Sequence, residues 1–415
     1  MALSLLRTNR NYRLVLSASA VSNLGDGVAA VAVPWLASLL TRDPVLIAAV
    51  ATARMLPWFL FSLPAGVLTD RADRRRLIVR ADIARVALTL CVVGMVLSLR
   101  DLPLADGHGP LPIVTLAVLA FLIGSAEVIR DNAAQTLLPA VVAHADLERA
   151  NGQLGGAERI MGDFVGPPLA GFLIAAGIAV PFGFNAAAFA VSAAVIWLIA
   201  LPPRRSGIQA RFLPALAEGF AFMRAHPAIL RLAVMLGVIN AVYFGGLTIL
   251  VLYAQEVLGL SAAEYGLLLT SVAVGGVAGA FAAPWIAGRI GMRASLVVAL
   301  ASFVLPQLAL GLFSSVPVAV AAMVIEAAGG MLWNVVTVSY RQRIIPDAIL
   351  GRVNSVYRFF GWGAMPFGAL AAGALVAVAE TARGRDAALH APYLAGAVIC
   401  AVLLVYGVRA LRFDA

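Results

Sequence analysis

Gly66-Val67-Leu68-Thr69-Asp70-Arg71-Ala72-Asp73-Arg74-Arg75-Arg76 separates two long apolar runs and holds four arginines and two aspartates. The chain as a whole is only 12% charged, so this is a sharp local concentration. Charge packed between two hydrophobic segments reads as a short loop outside the bilayer, and its sign fixes the side on which it lies.

The composition places the rest of the chain around that loop. Of 415 residues, 62% are hydrophobic, and the mean hydropathy is +0.95. A soluble domain is nearer about 45–50% apolar and about 25% charged, and a soluble fold of this composition would expose large apolar patches. The chain therefore reads as an integral membrane protein. All 30 basic residues are arginine. Their clustering in short loops makes the net charge of +9 a matter of topology, not of nucleic-acid binding. Cys91 and Cys400 lie far apart inside apolar segments, which predicts neither a disulfide framework nor a metal site. His108, His144, His226 and His390 have no zinc-ligand spacing.

A hydrocarbon core about 30 Å thick takes ~20 apolar residues per helix. Twelve segments satisfy this: 14–40, 45–69, 77–99, 112–133, 150–176, 179–201, 228–254, 262–287, 294–314, 316–339, 349–378 and 389–409. The first is too long for a signal-peptide core and reads as a retained span. The fold class is thus all-α integral membrane. Two six-helix bundles are expected at 1–201 and 228–415, joined by a cytoplasmic connector at 202–227. Within the connector, Arg211 to Arg224 carries Phe212, Leu216, Phe220 and Met223 on one side, the pattern of a helix lying on the membrane interface. With the N-terminus inside, cytoplasmic segments hold 22 arginines and external loops hold Arg42, Arg100, Arg383 and Arg385. This bias predicts that both termini are cytoplasmic.

The halves echo each other. Leu147-Glu148-Arg149-Ala150-Asn151 returns 203 residues later as Leu350-Gly351-Arg352-Val353-Asn354. The opening loop returns as Gly288-Arg289-Ile290-Gly291-Met292-Arg293, without its acids. Repeated six-helix halves are an architecture of secondary transporters.

The opening loop resembles the signature of the major facilitator superfamily, Gly-x-Leu-x-Asp-Arg-x-Gly-Arg-Arg. Gly66, Leu68, Asp70, Arg71, Arg74 and Arg75 match it, and Asp73 stands where glycine is usual. The variant Asp-Arg-x-Asp-Arg-Arg is similar to the branch containing enterobactin and macrolide exporters. Asn9-Arg10-Asn11-Tyr12-Arg13, Ser22-Asn23-Leu24-Gly25-Asp26-Gly27, Arg54-Met55-Leu56-Pro57 and Gly351-Arg352-Val353-Asn354-Ser355-Val356 point the same way. In segment 5, Gly162, Gly166, Pro167 and Gly171 resemble the superfamily's antiporter motif, with Gln153 and Ala170 as departures. Apart from any family, small residues four apart permit close helix packing.

This resemblance implies a monomeric, multi-pass transporter of the bacterial inner membrane. It implies efflux of a small amphipathic molecule such as a drug, macrolide or siderophore, with protons as the coupling ion and no cofactor. Import or facilitated uptake of a nutrient or lysolipid is the alternative, and a membrane enzyme or receptor a remote one. A latch is also implied at the cytoplasmic side among Gly66, Asp70, Arg71, Arg74 and Asp131, with Asp70 meeting the start of segment 11 and Arg74 meeting Asp131.

Charges within spans are the candidate coupling and substrate groups, because each costs ~2.5–3.5 kcal/mol at the bilayer centre and needs a partner or a cavity. Asp26 lies at mid-depth, with Asn23 on its face and Arg54 at similar depth in segment 2. An Asp26–Arg54 pair is expected, either as a coupling site or as a structural bridge. Glu326 and Arg358 form a second expected pair, and Asp163 is a third mid-depth acid. Glu127, Asp82/Arg85, Arg130/Asp131 and Glu158/Arg159 read as nearer the cytoplasmic helix ends, the last three as structural pairs.

Overall fold

The computed structural model describes residues 4–99, 102–104, 110–200 and 212–410; within helices, the side chains of Gly66, Asp70, Arg71, Phe212 and Leu216 also lie outside the described residues. Among the described residues, ten helices are long and apolar enough to cross a membrane. In the N-terminal part these are α1 (Arg10–Leu40), α2 (Pro44–Arg71), α3 (Arg74–Ser98) and α4 (Leu111–Val141). The run 147–176 forms α5, in which a π-helical Arg159–Val165 joins Leu147–Glu158 to Gly166–Ala176, and α6 (Val180–Trp197) follows.

The C-terminal part contains α7 (Pro227–Val257), α10 (Val316–Ile344), α11 (Ile349–Arg383) and α12 (Arg385–Ala410). The apolar run Ala262–Leu312 breaks at Gly291, where φ is 74° and ψ is 173°. A side chain is strained at that φ, so glycine divides the run into α8 (262–290) and α9 (292–312). The break falls inside the basic echo of the opening loop. With α5 counted and the long run divided, the helices are the twelve the apolar segments predict. Several run past their apolar windows into polar turns, as α4 does from 133 to Val141, because a helix does not end where the hydrocarbon does.

Local chemistry explains the helix starts. Asn9 caps α1 by accepting from the Tyr12 amide at 2.9 Å. Asp73 caps α3 by accepting from the Arg76 amide at 2.9 Å, so the aspartate that replaces glycine in the loop does specific work there. Replacing an aspartate cap by alanine costs ~1 kcal/mol. Asp73→Ala is accordingly expected to lower the melting temperature of the detergent-solubilised protein slightly, and an unchanged melting curve would count against the cap.

The chain forms two compact units: Met1–Arg42, Ala49–Gly207 and Leu260–Thr270 in one, and Asp43–Ala48, Ile208–Gly259 and Ser271–Ala415 in the other. These bounds differ from a simple N/C division by two short exchanged segments. In the first unit, α3 packs along α4 and α6, while α1 packs along α5 and α6. In the second, α7 lies along α11 and α12, and the buried cluster includes Trp333, Tyr357, Leu296 and Phe303. Many outward residues are apolar, Phe281 at 83% exposure among them, which suits lipid and not water.

The connector departs from expectation. Its helix Phe212–Ala225 is present, but Met223 is fully buried beside Ile229, Val353 and Val356. Glu218 pairs with Arg352, and Gly219 lies against the Arg352 backbone. The helix is therefore docked on the start of α11 through its apolar residue, not simply laid on the membrane surface. Arg204 and Arg205 lie outside the described residues.

Candidate functional site

In the first unit, Asp26 occupies the middle of α1. Its partner is Arg85 of α3, not the expected Arg54. Arg85 begins about 16 Å along α3 at 1.5 Å per residue, because the helix starts at Arg74. It is thus deeper than its place in the apolar window suggested. Its side chain is 0% exposed. One face of the guanidinium lies 3.6 Å from the centre of the Phe189 ring. Nη1 donates to Ser22 Oγ at 3.3 Å and lies 3.5 Å from Asp82 Oδ1.

Asp82 extends the network. Ser192 Oγ donates to its Oδ2 at 2.8 Å, and Arg130 Nε stands 3.7 Å from its Oδ1. Arg130 Nη1 in turn donates to Asp131 at 3.0 Å. Acids and bases therefore alternate as Asp26–Arg85–Asp82–Arg130–Asp131 across α1, α3 and α4. Each arginine lies between two carboxylates. A forked guanidinium suits that position in a way a lysine ammonium does not.

Asp26 also faces a cavity of about 30 Å³, shared with Arg54, Thr89, Glu127 and Asn185 and otherwise lined by apolar side chains including Phe182 and Phe189. Arg54 thus shares the site with Asp26 but makes no ion pair within 4 Å among the described residues. Asn23 is turned to its own helix, donating to Ser19 O at 2.8 Å. Asp163 sits exposed in the π-helical turn of α5, apart from the network.

The motif glycines of α5 produce close contact. A Cβ on Gly27 of α1 would fall on the Gly162 carbonyl, and one on Gly166 would come within 2.6 Å of the Gly27 Cα. Gly171 meets Ala262 and Ala263 in the same way, and Pro167 carries its backbone against Gly266. A π-helical turn frequently marks a functional position; here it lies beside the crossing. The gate residues Gly66, Asp70 and Arg71 lie outside the described side chains. Arg74 opens α3 partly buried, and Asp131 is engaged by Arg130.

In the second unit, Glu326 of α10 is 7% exposed and does not meet Arg358. Arg358 is exposed and stacks on Trp362, 5.3 Å from its ring centre. Glu326 instead accepts from Gln307 Nε2 of α9 at 2.9 Å. No arginine lies within 4 Å of its carboxylate among the described residues. A small cavity beside it is lined by Tyr243, Gly246, Gln307, Met323 and Tyr393 among others. Gln307 Oε1 is buried and has no hydrogen-bond donor. The one carboxylic acid of this lining is Glu326, and beside it stands the unpaired Gln307 carbonyl oxygen, so the site suits a proton or a cation better than an anion.

Sequence reasoning did not single out Arg85, Asp82 or Gln307 as site residues. The signal for Gln307 was available, since it is a lone amide within an apolar span. No group of three or more metal-ligating side chains occurs among the described residues.

The family described as transmembrane secretion effector matches residues 2–415. The multidrug efflux pump Tap of Mycobacterium tuberculosis is 29% identical over 423 aligned positions, covering 96% of this chain and 93% of Tap. The enterobactin exporter EntS of Salmonella typhimurium is 28% identical over 369, covering 86% and 83%. Among solved structures, a mutant of the nucleoside transporter NupG superposes with a TM-score of 0.78 at 12% identity, covering 96% of this chain and 100% of NupG. A bacterial homologue of the iron transporter ferroportin gives 0.74 at 18%, covering 98% and 99%. Matching motifs, helical architecture and a family match spanning almost every residue agree: the chain belongs to the transmembrane secretion effector family of the major facilitator superfamily.

Proposed function

We propose that this transporter is a proton-coupled exporter of small amphipathic molecules, working by alternating access as a monomer with both termini in the cytoplasm. The observation that carries the reading is a pair of carboxylates within apolar helices, the half-buried Asp26 and the buried Glu326, in a chain similar along its length to efflux proteins. Buried carboxylates are natural proton carriers in a membrane. One elementary charge crossing 100 mV yields ~2.3 kcal/mol, and at ~1.4 kcal/mol per decade this sustains roughly fortyfold accumulation. One inward proton per substrate is sufficient. Asp70 and Arg74 are proposed as the cytoplasmic latch, and the glycines of α5 as the antiporter-type crossing.

The test is an efflux screen in a host lacking its own pumps, comparing cationic drugs, macrolides and siderophores with and without an uncoupler. Efflux of at least one class should collapse with the uncoupler. Asp26→Asn and Glu326→Gln should each abolish concentrative efflux of that substrate; normal pumping by both variants would sink the coupling assignment. Net substrate entry in counterflow with vesicles of known orientation would replace export by import.

A further inference from the structure

The cavity beside Asp26 contains a carboxylate that the ion-pair network does not use. Glu127 of α4 is half-buried, shares the cavity with Asp26 and makes no ion pair within 4 Å among the described residues. Asp26 differs in being held by Arg85, itself fixed by Ser22 and the Phe189 ring. Two further residues that line the same space, Thr89 and Asn185, are 1% and 5% exposed and carry side-chain oxygens without a hydrogen-bond partner among the described residues, the Asn185 oxygen lying against Gly25. Buried polar groups of this kind are ordinarily satisfied by protein or by water. A cavity of about 30 Å³ with polar groups on its wall has room for water centres, each of which takes roughly 10–15 Å³ by this measure.

From this geometry we infer that Glu127 is the group that binds the exchangeable proton, with Asp26 held by Arg85 opposite it and water held by Thr89 and Asn185 between them. The inference rests on the proton-coupled reading above. The two carboxylates around this cavity differ in what holds them. Asp26 is occupied by a direct ion pair with Arg85, and Glu127 has no such pair among the described residues, so Glu127 is the one left free to exchange a proton with the cavity. The other charged groups around it are Arg54 on α2, Asp82 and Arg85 on α3, and Arg130 and Asp131 on α4; α6 contributes only neutral Asn185 and Ser192. The proton arrives as hydronium: one of its O–H bonds breaks as a new one forms to a Glu127 carboxylate oxygen, leaving neutral water, and release reverses the exchange.

Dicyclohexylcarbodiimide provides a test on the unmodified protein, since it reacts with protonated carboxyls in apolar surroundings. Mapping the adduct by mass spectrometry should place it on Glu127. An adduct on Asp26 with none on Glu127 would overturn the assignment. Glu127→Gln conserves shape, and a monodisperse elution profile identical to the parent verifies its folding. In proteoliposomes it should lose substrate-induced proton movement, and Thr89→Val should slow that movement. If the parent protein moves protons and Glu127→Gln does so equally, this inference fails while proton coupling stands. If the parent moves none, the coupled-exporter reading fails and takes this inference with it.

Discussion

Arg85→Leu is expected to remove transport altogether and to lower the thermal stability of the solubilised protein markedly. The side chain has no contact with water and joins Asp26 to Asp82. Deleting one member of a buried pair leaves its partner uncompensated, at about 3–5 kcal/mol. Here one deletion strands a carboxylate on each side, only one of which retains other partners, Arg130 and Ser192. Leucine would fill the volume beside Phe189 but supply no donor. Arg85→Lys should fall between, because an ammonium keeps the charge but cannot fork between two acids or stack on the ring as guanidinium does. The double variant Arg85→Leu/Asp26→Asn should recover part of the lost stability and none of the transport, since it removes the stranded charge together with its function. Melting curves and efflux assays on the four proteins check this. A wild-type melting temperature with normal efflux in Arg85→Leu would show that the network has no part in either.

Gly27→Leu should be the most damaging substitution outside the charged network. A side chain there would project onto the Gly162 carbonyl, and the nearest atoms on both sides are backbone. Overpacking typically costs about 1–3 kcal/mol when side chains can yield. A backbone carbonyl cannot rotate away, so α1 and α5 would have to separate, and the cost lies at or above the upper end of that range. Separation would also displace Asp26, the next residue before the crossing point. Gly155 provides the contrast: nothing lies within 4 Å of a Cβ there, so Gly155→Ala should be tolerated. Yield of monodisperse protein and efflux of the identified substrate are the readouts. Gly27→Leu protein that folds and pumps normally would refute the close crossing.

Much of this fold was readable before any coordinates. Long apolar runs fix helix number because the bilayer demands a minimum length, and glycine at 291 breaks the chain at the basic echo that already separated segments 262–287 and 294–314. The depth of Asp26 and of Glu326 was equally plain, since depth follows from counting residues along a helix. Partners were not. Arg54 and Arg85 both reach the level of Asp26, and only the rotation and neighbours of α2 and α3 decide between them. Those depend on packing across the whole unit, which no local pattern encodes. Glu326 and Arg358 share a depth by count, yet α11 turns Arg358 outward onto Trp362. Asp73 shows the reverse case. It looked like a departure from a family pattern, and its meaning is local: it caps α3. The docked connector was invisible for a third reason. An amphipathic helix of that composition suits a membrane surface or a protein groove equally, and Met223 chooses the groove.

The central claim is that substrate export is driven by protons through the carboxylates within the spans. Purified protein in liposomes carrying a luminal pH-sensitive dye tests it most directly, with a substrate gradient imposed and no membrane potential. Protons should move opposite to the substrate, and the dye response should vanish in Asp26→Asn. Substrate crossing at full rate with no change in luminal pH would contradict the account.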